Sequence, residues 1–417
     1  MNPFEFDSKE VEDYVMDWKR MYPKSYKKKD TAPYTKTRVI LLNGCEFEQQ
    51  WFLHQFARHC TDPELKKEIA FIRNQEQQQQ KRISCLKPIN ENILETTIAY
   101  EQLAIDLTAI LAQNEKDKNN KAALDFALLE DFDHLYRFAN LLKMDYGIEA
   151  GNLVGEYTEI MPGRPTIAEH RNPRQNTKSH MNNKKADPYS KCVGMIITAA
   201  EQQTMNFYMN MAQMYKNDYG RKLFAEIAMI EEEHVTQYES LNDPNGSWLE
   251  HWLMHEYVEC YLYYSAMEDE SDTYIKGIWK EHFEMEVAHL KRVAHLLEKY
   301  EKKKVSDVIP DAEFPKLISF KGNKEYIRSV LEHVSITQIN DKFVEVKDLK
   351  EDSDYVVYQN KVNRNLVDVP SHMVIEKAID KFGKDYRHAD KKHVIKTLDD
   401  RKHDNTNAGR DNQYLVC

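Results

Sequence analysis

Glycine and proline are scarce in this chain, at 12 and 13 of 417 residues, which excludes a fold built from many tight turns and leaves long helices as the natural alternative. Cysteine is also sparse. Cys45, Cys60, Cys85, Cys192, Cys260 and Cys417 lie far apart with no Cys-x-x-Cys, which argues against a zinc ribbon, a rubredoxin-type module and a disulfide framework, and suits a reducing cytoplasm. No run of 18 apolar residues exists, so no membrane span is expected. The opening Met1-Asn-Pro-Phe-Glu-Phe-Asp lacks the basic start and apolar stretch of a secretory signal. Positive charge is not in excess either. A net charge of −11 gives no electrostatic case for nucleic acid as a partner.

What is present is 41% hydrophobic residues with 11% aromatics, enough for two or three cores of ordinary size. Residues 1–37 read as a polar N-terminal arm. Residues 38–146 read as four helices, near 38–60, 62–84, 90–114 and 119–145, broken at Thr61-Asp-Pro, Lys87-Pro and the polar run before Asn120. Residues 147–189, with Pro162-Gly-Arg-Pro165, form a polar connector of low helical order. Residues 190–304 read as four more helices, near 190–217, 219–241, 247–270 and 271–303, with Asn242-Asp-Pro-Asn-Gly246 as a turn. In the extension 305–417, Lys342-Phe-Val-Glu-Val and Tyr355-Val-Val-Tyr look like strands, with a helix near 371–383 and a polar tail from about His388. His393 and His403 belong to that tail and read as solvated.

The chemistry concentrates in Glu231-Glu-Glu-His234 and Glu286-Val-Ala-His289. A Glu and a His three residues apart project from one helix face. Glu201 precedes Glu231 by 30 positions (231 − 201), and Glu256 precedes Glu286 by the same 30 (286 − 256). Four carboxylates and two imidazoles on four antiparallel helices are the ligand set of a di-iron or di-manganese carboxylate site. The stripe Phe224, Ala225, Ala228, Met229 runs straight into Glu231, and a core-facing stripe that turns acidic buries charge that needs a compensating cation. Glu259, one turn beyond Glu256, is an alternate or additional ligand. Tyr208, Tyr238, Tyr257, Tyr261, Tyr263 and Tyr264 lie near the same seam, with Tyr261 a candidate to hydrogen-bond a ligand. Cys260 and Met205, Met209 and Met229 read as core, and His251, His255, His282 and His295 as off the metal-facing stripe.

The two helical blocks read as copies of each other. Matching Glu48-Gln-Gln to Glu201-Gln-Gln, and Lys67-Glu-Ile-Ala-Phe-Ile to Ala225-Glu-Ile-Ala-Met-Ile, puts Arg73 at the place of Glu231 and Glu76 at that of His234. Asp131-Phe-Asp-His134 matches Glu286-Val-Ala-His289, and Glu101 precedes Asp131 by 30 (131 − 101). The expectation is a mainly α chain of two tandem four-helix bundles with a small mixed C-terminal extension. The second bundle carries the complete site Glu201, Glu231, His234, Glu256, Glu259, Glu286 and His289. The first, with Glu48, Glu101, Asp131 and His134, is degenerate, and Arg73 replaces one cation.

In these motifs the chain resembles the ferritin-like superfamily, which includes ferritins, rubrerythrins and manganese catalases. The ligand pattern is rubrerythrin-like, without the rubredoxin cysteines. The resemblance implies that Glu231 and Glu286 bridge two iron ions, or two manganese ions, with His234 and His289 on one ion each. It implies a cytoplasmic oxidoreductase, a peroxidase or oxidase acting on hydrogen peroxide or O2, or a manganese-catalase-like enzyme. Electrons would come from an external donor. The strand-like extension suggests a homo-oligomer. The alternative is a metal-braced structural, assembly or iron-binding protein without catalytic turnover.

Overall fold

The computed structural model describes residues 1–155, 157–161, 169–333, 336–364 and 368–383. It is mainly helical. Eight long helices carry the architecture: α1 (Pro33–His59), α2 (Pro63–Ser84), α3 (Ile93–Asn114), α4 (Lys118–Tyr146), α5 (Pro188–Met214), α6 (Asp218–Glu239), α7 (Trp248–Asp269) and α8 (Thr273–Glu301). No described helix is long and apolar enough to cross a membrane.

The starts and stops follow from local chemistry. Asn92 and Ser247 each close a capping box, with Glu95 and Glu250, ahead of α3 and α7. Asp62, Asp117, Asn217 and Asp272 cap α2, α4, α6 and α8 through their side chains. Gly147 ends α4 and Lys302 ends α8, both in the left-handed conformation, with φ of 67° and 58°. These positions repeat. Adding 155 to each bound of α1, α2, α3 and α4 gives the bounds of α5, α6, α7 and α8, so the eight long helices repeat one spacing of four.

The pairing of those helices departs from the tandem expectation. The chain divides into two compact units, each made of discontinuous segments. The first comprises residues 1–91, 180–203 and 242–320, and the second residues 92–179, 204–241 and 321–417. In the first unit α1 packs on α2 and α7, α7 on α8, and α2 on α8. In the second α3 packs on α4, and α4 on α6. Helix α5 is divided between the units after Gln203. Each unit therefore draws helices from both repeats, rather than holding one repeat whole. Gly44 marks a close approach within the first unit, since a Cβ there would sit 2.9 Å from the Gln203 Cβ and 3.1 Å from the Ala199 carbonyl.

The flanking segments are divided too. The N-terminal arm lays Val11, Tyr14 and Met16 against Met285 and Ala288 of α8. Tyr257 and Tyr261 donate hydrogen bonds to the carbonyls of Glu313 and Lys316, tying residues 305–320 to α7. In the second unit α9 (Lys324–Leu331) and α11 (Pro370–Phe382) pack on α4. The strand expected at Lys342 is present: β1 (Ile336–Ile339) and β2 (Lys342–Glu345) pair antiparallel, Ile336 opposite Glu345. The strand expected at Tyr355 is instead part of a helix, α10 (Asp354–Val362), capped by the Ser353 side chain; four residues of high β propensity do not outweigh a capped helical start. His388, His393, His403, Cys417 and Pro162–Pro165 lie outside the described residues.

Candidate metal centres

The ligand set expected at one place is found in two. Glu231 and His234 are buried on α6 in the second unit. Glu256 and Glu259 on α7, and Glu286 and His289 on α8, are buried in the first. Glu201 is buried on α5, two residues before that helix passes from one unit to the other. The partners of each group come from the other repeat. Glu76, Glu256, Glu286 and His289 bring ligand atoms within 4.8 Å of one another, as do Glu46, Glu76 and Glu259. In the second unit Glu101, His134 and Glu231 do the same, and Asp131 lies 3.3 Å from His234.

In the second unit the two imidazoles face the two oxygens of one carboxylate. His134 Nδ1 lies 3.1 Å from Glu231 Oε1, and His234 Nδ1 lies 3.0 Å from Glu231 Oε2. The far nitrogens look outward to acceptors. His234 Nε2 is 2.8 Å from Glu130 and His134 Nε2 is 3.4 Å from Glu169. An arginine stands behind each carboxylate: Arg137 donates to both Glu169 oxygens at 3.1 and 2.8 Å and to Asp133, and Arg171 lies 3.5 Å from Glu130 and donates to Glu233. All of these groups but Glu233, which keeps a sliver of exposure, are sealed from solvent. Burial alone would raise the Glu231 carboxyl, but the charges and hydrogen bonds of His134 and His234 outweigh it and bring it down to about 2. His134 moves up. Burial opposes its charge, and the carboxylates of Glu231 and Glu169 overcome that cost. Tyr208 of α5 donates to Glu101.

The first unit is built with neutral groups in the same places. His289 Nδ1 lies 3.0 Å from Glu76 and 3.2 Å from Glu286. Its Nε2 meets Gln75 Oε1 at 2.9 Å, and Gln75 is oriented by donating its amide to the Val11 carbonyl. Nε2 therefore carries the hydrogen, and Nδ1 turns toward the carboxylates. A lone pair aimed at carboxylate oxygens is repulsive unless a cation, proton or metal, lies between. Gln79 occupies the place that a second imidazole has in the other unit, and donates to Glu46 at 3.2 Å and to Glu286. Gln49 and the Trp252 indole donate to Glu256, and Tyr263 donates to Glu46. Burial, then the charge of Glu76, pushes the Glu286 carboxyl up to about 7 against the pull of His289.

Several expectations are corrected by this geometry. Glu48 is half-buried and pairs with His255 at 3.0 Å, outside either cluster. Glu46 is the buried carboxylate of α1, and Glu76, 30 positions on (76 − 46), is that of α2. Arg73 is partly exposed, and the 155-residue offset puts Glu76 rather than Arg73 at the place of Glu231 (231 − 155 = 76); the matched Glu-Ile-Ala strings were a misaligned register. Tyr261 hydrogen-bonds the Lys316 carbonyl, and Tyr263 is the α7 tyrosine that reaches a carboxylate of the first unit's cluster. His282, expected away from the site, is buried 3.1 Å from the Tyr263 hydroxyl. Ala225, Met209 and Met229 are exposed, Met229 at 56%; the buried face of α6 is Leu223, Phe224, Ile227, Ala228 and Ile230. Glu130, Arg137, Glu169 and Arg171 went unremarked in the sequence because nothing in their spacing separates them from surface charge.

No family model, no curated protein and no solved structure matches this chain.

Proposed function

We propose that the second unit is a ferritin-like four-helix bundle holding a di-iron or di-manganese carboxylate centre, and that the chain is an oxidoreductase acting on hydrogen peroxide or O2. The observation that carries this reading is Glu231, whose two oxygens each face the Nδ1 of a different buried histidine. That is the arrangement of a carboxylate shared by two ions with one imidazole each. Glu101, Asp131, His134, Glu231 and His234 would hold the metal. When bound, such a pair supplies two redox-active Lewis acids close together, able to change oxidation state in concert toward O2 or peroxide.

The chain's own residues do the rest. Glu130 and Glu169 orient His234 and His134, and Glu169 helps Glu231 to raise the basicity of His134. Arg171 and Arg137 neutralise and position those buried carboxylates. Tyr208 keeps a proton on Glu101's oxygen side, where a hydroxyl can hydrogen-bond a ligand carboxylate or hand on its proton. Peroxide or O2 is the oxidant, and a separate donor returns electrons.

Elemental mass spectrometry of the purified chain and of Glu231→Ala, followed by stopped-flow mixing of the reduced protein with peroxide and with O2, tests the reading. Iron or manganese that is lost in the variant, with oxidation faster than that of the free ion, is the expected result. Metal that is bound but inert toward both oxidants supports the metal-braced structural protein instead.

A further inference from the structure

The first unit repeats the motif with one substitution that changes its chemistry. Adding 155 to Glu46, Glu76 and Gln79 gives Glu201, Glu231 and His234. Gln79 thus stands where an imidazole stands in the other repeat. Its amide nitrogen points at Glu46 and Glu286, and a carboxamide nitrogen donates hydrogen bonds but does not bind metal. One end of this cluster has an imidazole, His289, among Glu76, Glu256 and Glu286; the other end, Glu46, Glu76 and Glu259, is all oxygen.

The carboxylates are divided into an outer and an inner set of oxygens. The outer ones are saturated by neutral donors: Glu46 Oε1 by Tyr263 and Gln79, Glu256 Oε1 by Gln49 and Trp252, Glu286 Oε1 by Gln79. The inner ones, Glu46 Oε2, Glu256 Oε2 and both oxygens of Glu259, have no hydrogen-bond partner. Glu259 is 1% exposed, so water does not solvate it from outside. Among the described residues none of the five carboxylates is paired with an arginine or lysine, in contrast to the arginine-backed second unit.

We propose that this cluster is a second, chemically distinct metal centre, in which Glu46, Glu76 and Glu259 take a hard divalent cation of the manganese or magnesium class beside a His289 position. All-oxygen anionic donor sets favour such ions, whereas imidazole favours iron and zinc. The neutral second layer of Gln49, Gln75, Gln79, Trp252 and Tyr263 orients the ligands without competing for the cation. This centre stands apart from the reading of the second unit, and each can fail alone.

The test is Mn2+ titration of the metal-stripped full-length chain, following free Mn2+ by electron paramagnetic resonance. The chain carries Glu231→Ala and His234→Ala to disable the second unit, and circular dichroism checks its helicity. We expect at least one Mn2+ bound per chain, weakened at least tenfold by adding the near-isosteric Glu259→Gln. We also expect Gln79→His to raise Zn2+ affinity at least tenfold while leaving Mn2+ binding within threefold. Absence of Mn2+ binding in the helical double variant overturns the proposal, and so does binding indifferent to Glu259→Gln. As a control on folding, Glu259→Gln alone in the otherwise native chain lowers the Mn2+ count by one. Mn2+ retained in the first unit, with no metal lost on changing Glu231, sinks the oxidoreductase reading and leaves this centre in place.

Discussion

The two units solve one electrostatic problem by opposite means. Both bury a cluster of carboxylates around imidazoles that turn Nδ1 inward. The second unit backs its histidines with charge, through Glu130 and Arg171 on one side and Glu169 and Arg137 on the other. The first backs its histidine with Gln75 and its carboxylates with Gln49, Gln79, Trp252 and Tyr263. Gln75 and Glu130 hold equivalent places, each one residue before a cluster carboxylate, Glu76 and Asp131. A formal charge one layer out strengthens a histidine as a donor and keeps ligands ionised, and a neutral amide fixes direction alone. On the proposed reading, similar helices thereby offer one cluster suited to redox ions and one suited to hard cations.

The comparison is broken most completely at Glu231. Glu231→Ala is expected to cut peroxide or O2 turnover more than about 100-fold, beyond the loss typical of an outer-layer residue, while metal in the first unit is retained; elemental analysis with stopped-flow rates checks both. Next in size is the charged layer. Arg137→Met leaves Asp133 and Glu169 buried without their cation and should cost about 3–5 kcal/mol in urea unfolding. Gln75→Leu, its neutral counterpart, should cost about 1–3 kcal/mol.

Acid and base separate the units as well. In the metal-free chain Glu286 titrates near 7, above its unfolded value. The folded state thus holds the proton longer, and stability falls as pH rises from the unfolded carboxylate range through about 7. Glu231, brought down to about 2, contributes stability above the unfolded range and loses it only as pH falls toward 2. Thermal melts of the metal-free chain between pH 4 and 8 should show a decline that Glu286→Gln lessens and that the other raised carboxyls of the cluster, Glu46, Glu256 and Glu259, sustain, and metal should reverse it. Smallest of all is Glu48→Ala, which breaks a half-buried pair with His255 and should change stability by less than about 1 kcal/mol with metal content unchanged.

The eight helices were legible from breaks such as Asp62-Pro63 and the stop at Gly147, whereas Pro33 and Pro188, which open α1 and α5, fell in the expected arm and connector, five and two residues before the starts read at 38 and 190. The acidic and histidine motifs of α6 and α8 were legible too, since three-residue spacing names a helix face. Their assembly was not. Each helix pair carries a carboxylate followed 30 positions later by another, at 46 and 76, 101 and 131, 201 and 231, 256 and 286, and nothing in that pattern says which pairs meet. Proximity along the chain favours neighbours, and here it misleads. Glu46 was hidden by Glu48, two residues away in a string that looked more like Glu201-Gln-Gln. Taking the 30-residue interval as the register, rather than that string, would have found Glu46 and Glu76.

The crossing of the repeats has a consequence for how the protein is made. Its helix pairs close like nested brackets: α3 and α4 meet α6 once the middle of the chain has left the ribosome, whereas α1 and α2, the earliest to emerge, wait for α7 and α8. Glu46 finds Glu259 only after 213 further residues (259 − 46). Domains that fold vectorially complete their N-terminal part first, and distant contacts form slowly. Here the first unit's carboxylate cluster is begun first and closed last, so Glu46 and Glu76 on α1 and α2 await Glu259 and Glu286 through most of synthesis. The first unit thus stays incomplete until residues near 290 arrive, and the second, whose cluster closes earlier, still awaits α9 and α11 to pack on α4.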